Sequence, residues 1–136
     1  MGNGRPLRPL VSDVMDFGKD YERKTIPAGA NIFIAGDRAQ EAYVLLKGEV
    51  NIVAVNDKGE TITLTTVKRG EMFGELALMK DDAKRSASAV SKTECQVMVV
   101  KNTLLKEKME RADPFLKYWV KYLGERVVDL SKRVQK

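Results

Sequence analysis

The chain has 136 residues, enough for one domain with a modest core. Hydrophobic residues make up 43% and charged residues 32%, the balance of a globular protein and not of a disordered one. Histidine is absent, which removes histidine metal ligands, histidine general bases and histidine-anchored haem together.

Residues 1–9 are rich in glycine, proline and arginine and read as a flexible lead-in to a single domain over 10–136. They hold no apolar signal segment, and no run in the chain approaches the roughly 20 apolar residues of a membrane span, so a cytoplasmic location is expected. Leu10, Val11, Val14, Met15 and Phe17 keep helical spacing and predict a short amphipathic helix ended by Gly18. From Tyr21 the period changes to two. Short strands are expected at 23–26, 31–34, 41–46, 49–55, 60–68, 87–91 and 94–100. Turn chemistry separates them, most clearly Asn56-Asp57-Lys58-Gly59, which joins two alternating runs as a hairpin. Many short strands with evenly spaced turns indicate a sandwich or a jelly-roll barrel. The lone Cys95, beside the apolar run Val97 to Val100, is expected to be a buried thiol and excludes an intrachain disulfide.

After Lys101 the period is helical. Residues 103–112 form one expected helix with Asn102 or Thr103 as its cap, and Asp113-Pro114 ends it and opens a second over 114–134. Along the second, Leu116, Val120, Leu123, Val127, Leu130 and Val134 alternate at spacings of four and three. Valine at one core position and leucine at the other favour a parallel two-stranded coiled coil, so a homodimer through this helix is expected. The alternative packs the same stripe on the chain's own barrel. The net charge of +5 resides here too: from Lys101 onward ten Lys or Arg face five Asp or Glu. A basic helix surface accounts for that excess at least as well as a nucleic-acid contact does.

The stretch Gly70-Glu71-Met72-Phe73-Gly74-Glu75-Leu76-Ala77-Leu78, followed by Arg85-Ser86-Ala87, has the makings of an anion cradle. Two glycines permit close approach of the main chain. The apolar run Leu76 to Met79 reads as a helical turn whose first N–H groups are free for a phosphate. Arg85 offers a charged planar fork, and Ser86 a hydroxyl, to the same anion. Glu75 repels phosphate but accepts from a sugar hydroxyl, so the joint pattern suggests a nucleotide. An ATP site is not expected, since no glycine-rich loop ends in Gly-Lys-Ser/Thr.

Residues 70–90 resemble the phosphate-binding cassette of cyclic-nucleotide-binding domains. The resemblance extends through Pro27-Ala28-Gly29, Ile32-Phe33, Gly36-Asp37, Tyr43, Gly48 and Val50. It implies an α+β, mainly β fold: an antiparallel double-stranded β-helix or jelly-roll barrel over about 21–100, flanked by the short N-terminal helix and two C-terminal helices over about 103–135. It further implies that Glu75 accepts from the ribose 2′-hydroxyl and that Arg85 and Ser86 hold the cyclic phosphate. Main-chain N–H groups of Gly74, Glu75, Leu76, Ala77 and Ala87 would complete the cradle. Phe33, Ile52, Leu64 and Thr65 would form the wall near the ribose and base, with Arg126 and Ser131 reaching in from the last helix. The ligand implied is cAMP, on the cassette length and its Arg-Ser-Ala, with cGMP as the alternative, since Ser86 suits both. A non-enzymatic sensor whose C-terminal helices shift on binding is therefore expected, with no cofactor or metal. No helix-turn-helix follows Val134, so no direct DNA contact is expected. A transcription factor or channel would have its effector part elsewhere. A cupin-type enzyme on the same roll would need a metal triad that a histidine-free chain is poorly equipped to build.

Overall fold

The computed structural model describes residues 21–75 and 83–134, with side chains at all of these except 128 and 131–134. The helix expected over 10–17 and the turn Leu76 to Met79 lie outside the described residues. Eight strands and two helices follow in order: β1 Glu22–Ile26, β2 Asn31–Phe33, β3 Glu41–Lys47, β4 Val50–Val55, β5 Thr61–Val67, β6 Met72–Phe73, β7 Ser88–Ser91, β8 Cys95–Lys101, α1 Asn102–Glu110 and α2 Pro114–Val134.

The pairing has a simple logic. β1 pairs with β8, β2 with β7, β3 with β6 and β4 with β5, all antiparallel, so the first four strands meet the last four in reverse. This is one long hairpin wound upon itself. Two further pairings, β3 with β8 and β4 with β7, join its coils into four-stranded sheets ordered β1-β8-β3-β6 and β2-β7-β4-β5. The mainly β, antiparallel fold expected from the resemblance is what the chain forms, as two four-stranded sheets and not as a closed barrel. Tyr43, Leu45, Val50, Val67, Phe73, Ala89, Cys95, Val97 and Val99, drawn from both sheets, make one buried core. Alternate residues of the same strands, Ala42, Val44, Leu46, Met98 and Val100, bury a second cluster on the opposite face of the first sheet, with Tyr21 against it. The period-two pattern of β3 and β8 therefore serves two cores, and Cys95 is a buried thiol in the first of them.

The turns are fixed by a few side chains. Asn56 Oδ1 accepts from the N–H groups of Lys58 and Glu60, both at 2.9 Å, which closes the β4–β5 hairpin. Ser91, almost fully buried, donates from Oγ to the carbonyl of Pro27 at 2.6 Å and accepts from the N–H of Ala30 at 2.9 Å, pinning the β1–β2 turn onto β7. Gly48 has φ +94°, and a Cβ there would stand 2.4 Å from the carbonyl oxygen of Glu94.

Helix α1 starts directly off β8. Its N-cap is Lys101, with no side-chain cap bond, and not Asn102 or Thr103 as the sequence suggested. The physical reason is that strand pairing runs to Glu41 opposite Lys101, and the Asn102 N–H is already taken at 2.9 Å by the carbonyl of Gln40. At α2, Asp113 Oδ1 accepts from the Phe115 N–H at 2.8 Å and caps the helix beside Pro114. The apolar stripe of α2 faces solvent: Leu116, Val120, Leu123, Val127 and Leu130 are each between 41% and 53% exposed. Among the described residues no strand packs closely along it. No described helix is long and apolar enough to cross a membrane.

Candidate ligand-binding site

A cavity of about 280 Å³ opens between the two sheets, where the ends of β2, β4, β5 and β6 meet the segment leading into β7. Phe33, Ile52, Thr65, Val67, Met72 and Phe73 give it an apolar floor, and Gly74, Glu75, Arg85, Ser86 and Ala87 a polar rim. Arg85 and Glu75 thus share one cavity.

Arg85 sets the chemistry. It is only 6% exposed, one of two buried polar or charged residues among the described ones. The chain around it is held by paired main-chain bonds: the Arg85 N–H donates to Asp37 O at 2.8 Å and the Gly36 N–H to Arg85 O at 2.8 Å. Its Nη1 donates to the carbonyl of Gly74 at 2.7 Å and its Nη2 to the carbonyl of Glu41. Its Cζ lies over the Phe33 ring, 4.1 Å from the ring centre. Its Nε–H is buried and has no partner among the described residues. Burial pushes the Arg85 pKa down from its ordinary value, while Tyr43, Glu41, Asp37 and Glu75 act in the opposite sense. A guanidinium stays charged through such shifts, so the cavity holds a desolvated cation whose Nε–H is not yet engaged.

Gly74 lets the rim come this close. It adopts φ +76°, and a Cβ would fall 2.8 Å from Arg85 Nη1 and 3.1 Å from Phe33 Cε2. Glu75 follows it into the cavity. Burial pushes its carboxyl pKa up, against smaller downward pulls from its own main-chain N–H and from Arg85. Behind the rim, Tyr43 donates to Glu41 Oε1 at 2.8 Å, and burial is the first cause of a Tyr43 pKa raised far above its usual value. Such a site suits a small anion carrying an apolar body and a hydroxyl donor.

The remaining residues singled out in the sequence fall in several places. Thr65 lines the cavity, but Leu64 does not: it points to solvent, 54% exposed, because inward positions on β5 alternate through Thr65 and Val67. A bulge between Ile52 and Val53 moves the opposing register from Thr65 to Thr63. Arg126 is on α2, where its Nη1 donates to the Tyr122 hydroxyl at 3.1 Å, and it does not line the cavity. Leu76, Ala77 and the Ser131 side chain lie outside the described residues. Sequence reasoning missed Val67, Met72 and Phe73 as lining, and Glu41 as the anchor of Arg85. The Glu41 contact is through a main-chain carbonyl, which no residue identity signals.

The chain spans about half the length of the bacterial regulators it matches in sequence. It is 28% identical over 108 residues to the cAMP-activated global transcriptional regulator CRP of Haemophilus influenzae, covering 79% of this chain and 48% of that protein. To the Cyclic AMP receptor protein of Thermus thermophilus it is 33% identical over 99 residues, 71% of this chain and 45% of the other. Among solved structures, the cAMP-bound form of the EAL enzyme Bd1971 superposes with a TM-score of 0.67 at 30% identity, over 84% of this chain and 30% of that one. The cGMP-bound form gives 0.68 at 31%, over 82% and 30%. The family model described as Cyclic nucleotide-binding domain matches from residue 23 to residue 112. That match takes in all eight strands but the first residue of β1, both walls of the cavity and the whole of α1, and the chain accordingly belongs to the cyclic nucleotide-binding domain family.

Proposed function

We propose that the chain is a sensor that binds cAMP in the cavity between its sheets and reports occupancy through its C-terminal helices. The observation that carries this is the Arg85 guanidinium: buried, tied by two of its nitrogens, and left with Nε–H unpartnered among the described residues in a cavity it shares with Glu75. A cyclic phosphate oxygen accepts from Nε–H, with the Ser86 hydroxyl and the main-chain N–H groups from Gly74 to Ala77 and of Ala87 completing its shell. Glu75 accepts from the ribose 2′-hydroxyl. Ile52, Thr65 and Phe33 flank the sugar and base. No proton or group is transferred, so the role is recognition and not catalysis.

The choice of cAMP is supported by the names of the regulators above and by the Arg85-Ser86-Ala87 run. Since Bd1971 is known in cAMP- and cGMP-bound forms, cGMP is the alternative. At about −0.3 kcal/mol for each of about twenty heavy atoms, the ligand gains roughly −6 to −7 kcal/mol, a Kd of order 10 μM. Output follows by population shift: a helix arrangement with higher affinity for the nucleotide becomes the populated one. The exposed stripe of α2 suits a second copy of this helix, giving a homodimer in the cytoplasm, with any DNA-binding, channel or other effector part supplied elsewhere.

Calorimetric titration of cAMP and cGMP tests the reading, with the mass in solution measured in parallel. Arg85→Ala is expected to weaken cAMP binding by about 2–4 kcal/mol, through loss of a charge-assisted bond in a desolvated site. Binding of that variant at wild-type strength would refute the assignment, and a mass equal to one chain would refute the dimer.

A further inference from the structure

We propose that Phe33 is the positioning residue of the anion site: its ring fixes the plane of the Arg85 guanidinium and thereby aims the Nε–H edge at the phosphate. This rests on the cyclic-nucleotide reading above. A guanidinium is a flat group that donates only from its edges, while its faces are weakly hydrated and attracted to aromatic rings. In this site two edge nitrogens are fixed by the carbonyls of Gly74 and Glu41. Two anchor points still leave a plate free to swing about the line that joins them. The Phe33 ring, with Cζ over it at 4.1 Å from its centre, limits that freedom.

The ring itself has little room to follow. Phe33 stacks on Tyr43 with centroids 6.1 Å apart at 23°, and on Phe73 at 6.3 Å and 30°, and those two stack on each other at 5.2 Å. Tyr43 and Phe73 lie in the main core and the half-buried Phe33 packs against it, and Tyr43 is further held by its bond to Glu41, the residue whose carbonyl anchors Arg85. The plate is thus referenced to the core through its face and to the main chain through its edge. An aliphatic residue of similar bulk would keep the apolar wall but lose both the flat support and the attraction to the cation.

The test is a double-mutant cycle on cAMP affinity with Phe33→Leu, Arg85→Ala and the double variant, read by calorimetry on the full chain. Phe33→Leu is expected to weaken binding about ten- to thirtyfold in the wild-type background and under about threefold when Arg85 is already alanine. Phe33→Tyr, which keeps the ring, should recover most of that loss. Equal losses in both backgrounds would mean that Phe33 serves only as wall, and wild-type affinity in Phe33→Leu would mean that it serves neither purpose; both overturn the proposal. Wild-type affinity in Arg85→Ala overturns the site assignment itself, and this proposal with it. Should Phe33→Leu fail to fold, Phe33→Met takes its place. The ¹⁵N–¹H resonance of Arg85 Nε, recorded without ligand, then gives a second readout. It should be shifted and exchange-protected in the wild type and move towards free-arginine values in Phe33→Met, and an unmoved resonance counts against the proposal.

Discussion

Replacing Gly74 by alanine probes the tightest point of the site. The residue sits at φ +76°, which costs an alanine about 1 kcal/mol in the left-handed region. The added Cβ would also lie 2.8 Å from Arg85 Nη1 and 3.1 Å from Phe33 Cε2, so the guanidinium must leave. With it goes the 2.7 Å bond from Nη1 to Gly74 O, an interaction of a charged donor in a buried setting that contributes about 1.5–3 kcal/mol. The expected destabilisation is thus about 2.5–4 kcal/mol by urea unfolding, accompanied by a loss of cAMP affinity approaching that of Arg85→Ala. Gly59 provides the control. It has φ +81° with nothing within 4 Å of the point a Cβ would occupy, and it lies in the β4–β5 hairpin away from the cavity. Gly59→Ala should therefore lose only the backbone part, about 1 kcal/mol, and bind as before. Equal unfolding free energies for the two variants, with ligand affinity retained in both, would refute the account of Gly74 as the gap that admits Arg85.

At Gly48 the obstacle is rigid: a Cβ would meet Glu94 O at 2.4 Å, Thr93 Oγ1 at 2.8 Å and Cys95 Sγ at 2.9 Å, at φ +94°. Gly48→Ala is expected to destabilise by about 3 kcal/mol or more, since main chain must move, and thermal melts of the purified variant check this. Glu75 supplies a pH dependence. Its carboxyl pKa is raised in the folded state, so the native chain holds the proton more tightly than the unfolded one. The stability this confers is full below the ordinary carboxylate value of 4.5 and is lost as pH rises through the raised folded value. Without ligand, the wild type should lose stability over that interval, and Glu75→Gln should lose less; denaturation midpoints across a pH series decide it, and a steeper loss in the variant would reverse the sign argued here.

Much of the roll was legible because its strands alternate and its turns carry diagnostic residues. Seven of the eight strands follow from period two, and Asn56 closes its hairpin as an asparagine in that position should. β6 was not legible as a strand: Met72–Phe73 is two residues long, too short to show any period, and exists through its pairing with Tyr43 and Val44. The cassette was legible as chemistry, since Gly74, Glu75 and Arg85 are residue types whose combination few structural roles require. What lay beyond reach was geometry set by non-local pairing. Leu64 and Thr65 are neighbours with equal claims until the β4–β5 register turns one outward. The start of α1 depends on Gln40, far away in sequence, accepting from Asn102. Likewise the stack of Phe33 under Arg85 joins β2 to the approach of β7, and no local pattern reports it.

The carbonyl of Glu41 has a consequence for signalling. Glu41 holds Arg85 on one side and stands opposite Lys101 in the β3–β8 register on the other, while its neighbour Gln40 carries the first N–H of α1. Arg85 and the first residue of α1 are thus tied to two adjacent peptide units of the same strand end. On the sensor reading proposed above, movement of the guanidinium would reach the helices over a very short arm, hinged on those two units at the head of β3.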